Sequence, residues 1–494
     1  MSQSSLTRKV ASSAFWTYFS YVLSKSAAFL TTMVLTRLLT QAEFGIVGFA
    51  LTTMSFIDTI RDIGLSVVLV RRRDDVEAAA DTVFWSTLVS NVILWAVLSL
   101  ASPLIADFFH EPQIIQILPI ISFTFILSSL GSTHDALLQR DMGFGKRFVP
   151  TFGASIIKSL VSIGLALAGL GVWGLVWGQL ASRAAFTVLA WRAVPSYRPR
   201  RRFSWPILRT MMGDGLKISF DSFLGAVQAN IDYVFIGHFL GDVSLGLYTV
   251  AFRVPELIVI NLAVMVGSVL YPAYASVQHD MDRLREAMLS ALRYISIITV
   301  PIGVGLALVA PQFVEVAFGA EWRESAPIMS MLCLYGVLLT ISWNIGDVYK
   351  AIGKADILWK TALIELLLVI PTLYFFAQQS AAAVGFGQVI VAFVVSLLRL
   401  CIAIYLLKVP VGTVFMQFIP AFAGAAAMTL VVSAAAAGMA HWSSLLTLLS
   451  LCVLGASTYI AVLYVFERPL FVKAAGEAQR RFGHLLPALL RKVP

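Results

Sequence analysis

Apolar residues run along the chain in long blocks, and polar and charged residues collect in the short breaks between them. A helix needs about 20 mainly apolar residues to cross a bilayer. About 14 stretches meet that requirement: 11–35, 44–69, 80–105, 114–133, 149–168, 172–194, 213–237, 243–272, 286–310, 326–348, 357–377, 383–407, 413–438 and 443–466. The pattern predicts an all-α polytopic membrane protein of about 14 transmembrane helices. Composition points the same way. Of 494 residues, 59% are hydrophobic and 13% charged, with a mean hydropathy of +0.85. A soluble protein has about 45–50% apolar and about 25% charged residues, so this chain cannot clothe several water-facing domains. Cys333, Cys401 and Cys452 all fall within apolar runs and read as small hydrophobes, neither bridged nor metal-bound.

The net charge of +9 acquires meaning once the breaks are put in order. Basic residues cluster in alternate connections: Arg8/Lys9, Arg71–Arg73, Arg140/Lys146/Arg147, Arg192 to Arg209, Arg283/Arg285, Lys350/Lys354/Lys360, Lys408, and the tail from Arg468 to Lys492. The connections between these hold only Arg37 and Arg323. Cytoplasmic loops collect Lys and Arg, so both termini are expected in the cytoplasm, and the charge marks topology; no nucleic-acid partner is expected. Arg8 and Lys9 lead straight into the first stretch, which is expected to serve as its own insertion signal. Residues 468–494 alternate Phe471, Phe482 and Leu485 with Lys473, Arg480 and Arg481, the pattern of a cytoplasmic amphipathic tail lying on the bilayer, with a frayed, solvated end as the alternative.

An internal repeat underlies the order of spans. Arg37-Leu-Leu-Thr-Gln-Ala-Glu-Phe-Gly45 stands against His238-Phe-Leu-Gly-Asp-Val-Ser-Leu-Gly246, Glu111-Pro-Gln against Glu321-Trp-Arg, and Val172-Trp-Gly-Leu against Ala383-Val-Gly-Phe. The copies lie about 200–210 residues, or six spans, apart, so the halves are parallel, as in transporters built around a central cavity. The expected organisation is an N-terminal six-helix lobe (1–195), a C-terminal six-helix lobe (196–408), two further helices (409–467) and the tail (468–494).

A charge in the middle of a span costs about 2.5–3.5 kcal/mol on insertion scales and therefore faces a cavity or a partner. On the seventh stretch Asp214, Lys217, Asp221, Gly225, Gln228 and Asp232 recur at helical spacing and form one stripe. It reads as a polar cavity wall, with a structural ion-pair ladder as the alternative. The second stretch carries Ser55, Asp58, Asp62 and Ser66 on one face, with Arg61 alongside and close enough to pair with Asp58. Other in-span cations are Lys25, Lys158, Arg183, Arg253, Arg293 and Arg399; those near a span end can extend to the headgroups. Lys25, Arg61, Lys217 and Arg253 are the expected cavity cations, suited to a phosphate-bearing substrate. Asp58, Asp62, Asp214, Asp221 and Asp232 are candidates for binding a coupling ion. Arg253-Val-Pro-Glu256 combines a proline with opposite charges and reads as a hinge.

No enzyme chemistry is expected. Gly169-Leu-Gly-Val-Trp-Gly174 matches a dinucleotide pattern but lies in a short turn without the strand that such a site requires. Neither a phosphate-loop lysine motif nor a zinc spacing occurs, so no cofactor or metal is expected.

Leu35-Thr-Arg-Leu-Leu-Thr-Gln-Ala-Glu-Phe-Gly-Ile-Val-Gly48, followed by Asp62-Ile-Gly-Leu-Ser66, resembles the N-terminal signature of the polysaccharide transport (Wzx-type) flippases, which include colanic acid and succinoglycan exporters. Multidrug and toxin extrusion transporters and lipid II flippases belong to the same superfamily. The resemblance implies a bacterial inner-membrane protein that translocates an undecaprenyl-diphosphate-linked oligosaccharide by ion-coupled alternating access. Polysaccharide polymerase and export machinery are the partners it implies. The alternative is a cation-coupled drug antiporter of the same superfamily, against which the in-span lysines and arginines count.

Overall fold

The computed structural model describes residues 20–468 except 60, 62, 63, 142, 143 and 440, without the side chains at 144, 214, 217, 218, 221, 264 and 268. Among the described residues all regular structure is helical. The helices are α1 (20–35), α2 (Gln41–Asp58), α3 (Leu65–Arg71), α4 (Val76–Phe109), α5 (Ile114–Ser122), α6 (Thr124–Arg140), α7 (Phe144–Leu167), α8 (Val172–Ala193) and α9 (Trp205–Pro255). A π-helical turn, Glu256–Ile260, leads into α10 (Asn261–Ser276). There follow α11 (Met281–Leu308), α12 (Ala310–Ala317), α13 (Ser325–Ala351), α14 (Asp356–Phe376), α15 (Ala381–Leu407), α16 (Val411–Gly438) and α17 (Ser444–Phe466). Ten helical segments of the described chain are long and apolar enough to span a bilayer. Residues 469–494 of the expected tail, together with Arg8 and Lys9, fall outside the described residues.

The second, fourth and eighth of the expected helices are interrupted, the fourth at Phe123 between α5 and α6. The second stretch breaks between Asp58 and Leu65, with Gly64 in the left-handed region at φ +66°. A Cβ there would stand 2.5 Å from the Gly215 carbonyl oxygen on α9, so the break seats backbone against backbone. Ser55 and Asp58 therefore lie on α2 and Ser66 on α3, not on one continuous helix. Helix α9 turns at Gly241 (φ +79°, ψ −171°), where one expected stretch ends and the next begins. Pro255 lacks the N–H that would continue the ladder, and the π turn begins at the residue after it.

The chain divides into two compact units. The first comprises Met1–Arg253, Ala317–Ile328 and Ile370–Gly387, and the second Val254–Val316, Met329–Val369 and Gln388–Pro494. In the first unit Leu65, Leu69, Ala79, Ala80, Val83, Ala136, Leu208 and Met211 form one buried cluster. In the second, a larger core gathers Leu292, Val300, Ile341, Leu400, Val414, Met428 and Tyr459 from α11, α13, α15, α16 and α17.

Within the first unit the two copies of the repeat motif meet. A Cβ on Gly45 would stand 1.8 Å from the Asp242 carbonyl oxygen, and one on Gly246 would stand 2.0 Å from that of Gln41. Neighbouring contacts are reciprocal as well. Trp322 Nε1 donates to the Thr36 carbonyl at 2.8 Å, while the His238 ring stacks on Phe108 with its Nδ1 2.7 Å from the Phe108 carbonyl. Thr40 and Glu43 close a capping box at the start of α2, which satisfies two otherwise orphaned N–H groups.

Candidate functional site

Helices α7 and α8 lie unusually close. A Cβ on Gly178 would stand 1.9 Å from Ser162 Oγ and 3.3 Å from the Lys158 carbonyl. A Cβ on Gly174 would likewise stand 3.1 Å from the Ser162 carbonyl oxygen, and the close approach sets two polar stripes side by side. On α7 these are Thr151, Ser155, Lys158 and Ser159, and on α8 Gln179, Ser182 and Arg183. Helix α1 adds Ser24, Lys25, Thr31 and Thr32 along one face, with Thr31 Oγ1 2.6 Å from Ser159 Oγ. The second arm of α9 supplies Thr249 and Arg253.

Together these faces enclose a cavity of about 400 Å³ in the first unit. Lys25, Lys158, Arg183 and Arg253 line it, and among the described lining residues none is acidic. All four are half-buried. Like charges held near one another out of bulk water repel far more than at a surface. In the sequence Lys158 and Arg183 stand only as in-span cations; the structure makes them cavity-wall residues. Their spacing with Thr151 and Ser155, and with Gln179 and Ser182, is the signal that marks them as wall residues.

The other expected site residues have different surroundings. Arg61 Nε lies 2.9 Å from Asp58 Oδ1, and Arg61 is not among the cavity's lining residues. Its carbonyl accepts hydrogen bonds from Ser90 and Asn91. Asp232 is buried and accepts a 2.5 Å hydrogen bond from the Tyr248 hydroxyl. Asp62 and the side chains of Asp214, Lys217 and Asp221 lie outside the described residues, although the backbone from 214 to 232 is helical. Two in-span arginines serve ion pairs in the second unit. Arg293 meets Glu467. Arg399 Nη2 lies 3.1 Å from Glu365 Oε2, and its other nitrogens donate to Thr361 and Ser342.

By structure, the chain resembles the lipid II flippase MurJ in an inward closed conformation, at a TM-score of 0.71 and 16% identity over 93% of this chain and 99% of that one. An inward-facing multidrug transporter of the MATE family aligns at a TM-score of 0.62 and 17% identity, over 78% and 94%. By sequence, it is 25% identical to the lipopolysaccharide biosynthesis protein WzxC of Escherichia coli over 84% of each chain. It is 27% identical to the succinoglycan biosynthesis transport protein ExoT of Rhizobium meliloti, over 77% of this chain and 76% of that one. Residues 34–327 match the family described as polysaccharide biosynthesis protein. The chain is a multi-pass membrane protein, and it belongs to the polysaccharide biosynthesis protein family.

Proposed function

We propose that the chain is a flippase that carries an undecaprenyl-diphosphate-linked oligosaccharide across a bacterial inner membrane. The observation that carries this reading is the cavity walled by Lys25, Lys158, Arg183 and Arg253. A diphosphate presents several acceptor oxygens, and charge-assisted hydrogen bonds to it strengthen where water is scarce. Serine and threonine hydroxyls on the same walls offer further donors. An organic cation would be repelled by this lining, which speaks against drug antiport. The transport function named for ExoT and the flippase function named for MurJ support the same conclusion.

The topology that goes with this reading has fourteen spans and cytoplasmic termini. Fourteen spans require that the two arms of 222–276 count separately and that α1, α2 and α8 join the ten segments long and apolar enough to span. The six-helix lobes are then 1–195 and 196–408, followed by 409–467 and the tail. Arg61 and Lys217 complete the diphosphate-binding set. Asp58, Asp62, Asp214, Asp221 and Asp232 carry the coupling ion during alternating access.

Deleting the gene and measuring both membrane lipid-linked oligosaccharide and secreted polymer tests this function. Trapped inner-leaflet intermediates without polymer are the expected result. Normal polymer together with new sensitivity to cationic drugs would overturn it in favour of antiport.

A further inference from the structure

The second unit holds a cavity of its own, about 690 Å³, within the range of roughly 300–1,000 Å³ typical of small-molecule sites. It lies among α10, α13, α14 and α15, and its wall differs in kind from that of the first unit. Tyr271 and Trp343 present aromatic rings to it and are 44% and 42% exposed. Ser342, Asp347, Lys350 and Arg399 supply the polar lining.

Charge decides what such a wall can hold. Lys350 Nζ lies 2.9 Å from Asp347 Oδ1, and Arg399 is matched by Glu365. Each cation on this wall therefore has its own carboxylate, and an anion entering the cavity meets little net attraction. The other carboxylate oxygen of Asp347 points toward Gly267, where a Cβ would stand 3.1 Å away; glycine leaves that oxygen room. A bilayer tail is equally mismatched, because it would cover charged groups without giving them hydrogen bonds. A neutral ring bearing many hydroxyls fits both features. Its C–H faces lie against aromatic surfaces, and its hydroxyls exchange hydrogen bonds with a carboxylate and an ammonium group.

We propose that the cavity bounded by Tyr271, Trp343, Asp347 and Lys350 is a sugar-binding site, taking a neutral pyranose of the translocated oligosaccharide. Trp343 and Tyr271 hold the ring faces, and Asp347 and Lys350 read its hydroxyls. The inference rests on the flippase reading and adds to it a site in the second unit that recognises the sugar by its own chemistry.

The test uses the full-length protein in lipid nanodiscs and two separate probes. One is the free oligosaccharide released by mild acid from the lipid fraction of the deletion strain; the other is undecaprenyl diphosphate. Trp343→Ala and Asp347→Asn are expected to weaken oligosaccharide binding at least about tenfold and to leave undecaprenyl diphosphate binding within about twofold. Trp343→Phe, which keeps an aromatic face, should retain most of the binding and so separates lost stacking from a misfolded variant. Unchanged oligosaccharide affinity in both Trp343→Ala and Asp347→Asn overturns the proposal. So does a wild-type protein that binds undecaprenyl diphosphate but not the oligosaccharide, an outcome that leaves the flippase reading standing. Failure of the wild type to bind either probe removes both.

Discussion

Gly45 and Gly246 hold the same place in the two copies of the repeat, and each is pressed against the backbone of the other copy. The partner atoms, the carbonyl oxygens of Asp242 and Gln41, also occupy matching places. A side chain on either glycine has nowhere to go, because a main-chain oxygen cannot rotate aside as a flexible side chain does. Gly45→Ala and Gly246→Ala should each cost about 1–3 kcal/mol, the usual range for overpacking, read as a lower thermal midpoint in detergent. The double variant should cost less than the sum of the two, since the first substitution already forces the helices apart. Strict additivity would mean that the two contacts are separate.

The cavity of the first unit makes a prediction about charge. Lys158→Gln and Arg183→Gln should lower undecaprenyl diphosphate binding by about tenfold or more each, in line with about 1.5–3 kcal/mol for a hydrogen bond to a charged group. Arg183→Lys keeps the charge but loses the planar fork, so it should fall between wild type and Arg183→Gln. Equilibrium binding in nanodiscs checks the order. Equal affinity in all four proteins would show that this cavity does not receive the diphosphate.

Arg399 and Glu365 predict a different signature. Their side chains are 9% and 19% exposed, so removing one partner leaves a charge stranded among apolar helices. Arg399→Met should destabilise by about 3–5 kcal/mol, and Arg399→Met combined with Glu365→Leu should recover much of that loss. Melting curves of the three proteins measure it.

A fourth prediction concerns the connection between α8 and α9. The Tyr197 hydroxyl and the Arg200 N–H both donate to Asp81 Oδ1, at 3.1 Å each, and Trp85 donates to the Arg200 carbonyl at 2.8 Å. Burial, with the Asp81 carboxylate beside it, pushes the Tyr197 hydroxyl well above its usual range. A raised pKa means that the folded state holds this proton more tightly than the unfolded state does. The stabilisation is therefore complete below the ordinary tyrosine value of about 10 and is lost as pH climbs above it. Wild-type stability should fall more steeply above that pH than the stability of Tyr197→Phe, as measured by denaturation across a pH series.

Much of the framework was legible in the residues themselves. The repeat motif at Arg37–Gly45 and His238–Gly246 could be seen by eye, and Lys25 and Arg253 stood out as cations in apolar surroundings. What stayed hidden depends on contacts between distant residues. Nothing near Gly64 announces that its backbone seats on Gly215, so Ser55, Asp58 and Ser66 read as one helical face although α2 stops at Asp58 and Ser66 belongs to α3. The grouping of Lys158 with Arg183 depends on Gly178 and Ser162, whose close approach is a property of two helices rather than of either one. The matching of Arg399 with Glu365, 34 positions earlier, has no local pattern to reveal it.

The reciprocal seat of Gly45 and Gly246 has a consequence for inheritance. A duplicated segment is usually free to diverge once it has two copies, but here each copy is the mould for the other. A chimaera that took residues 37–45 from one relative and 238–246 from another would join surfaces never shaped together. Exchanging both segments from a single parent would carry the fit across intact.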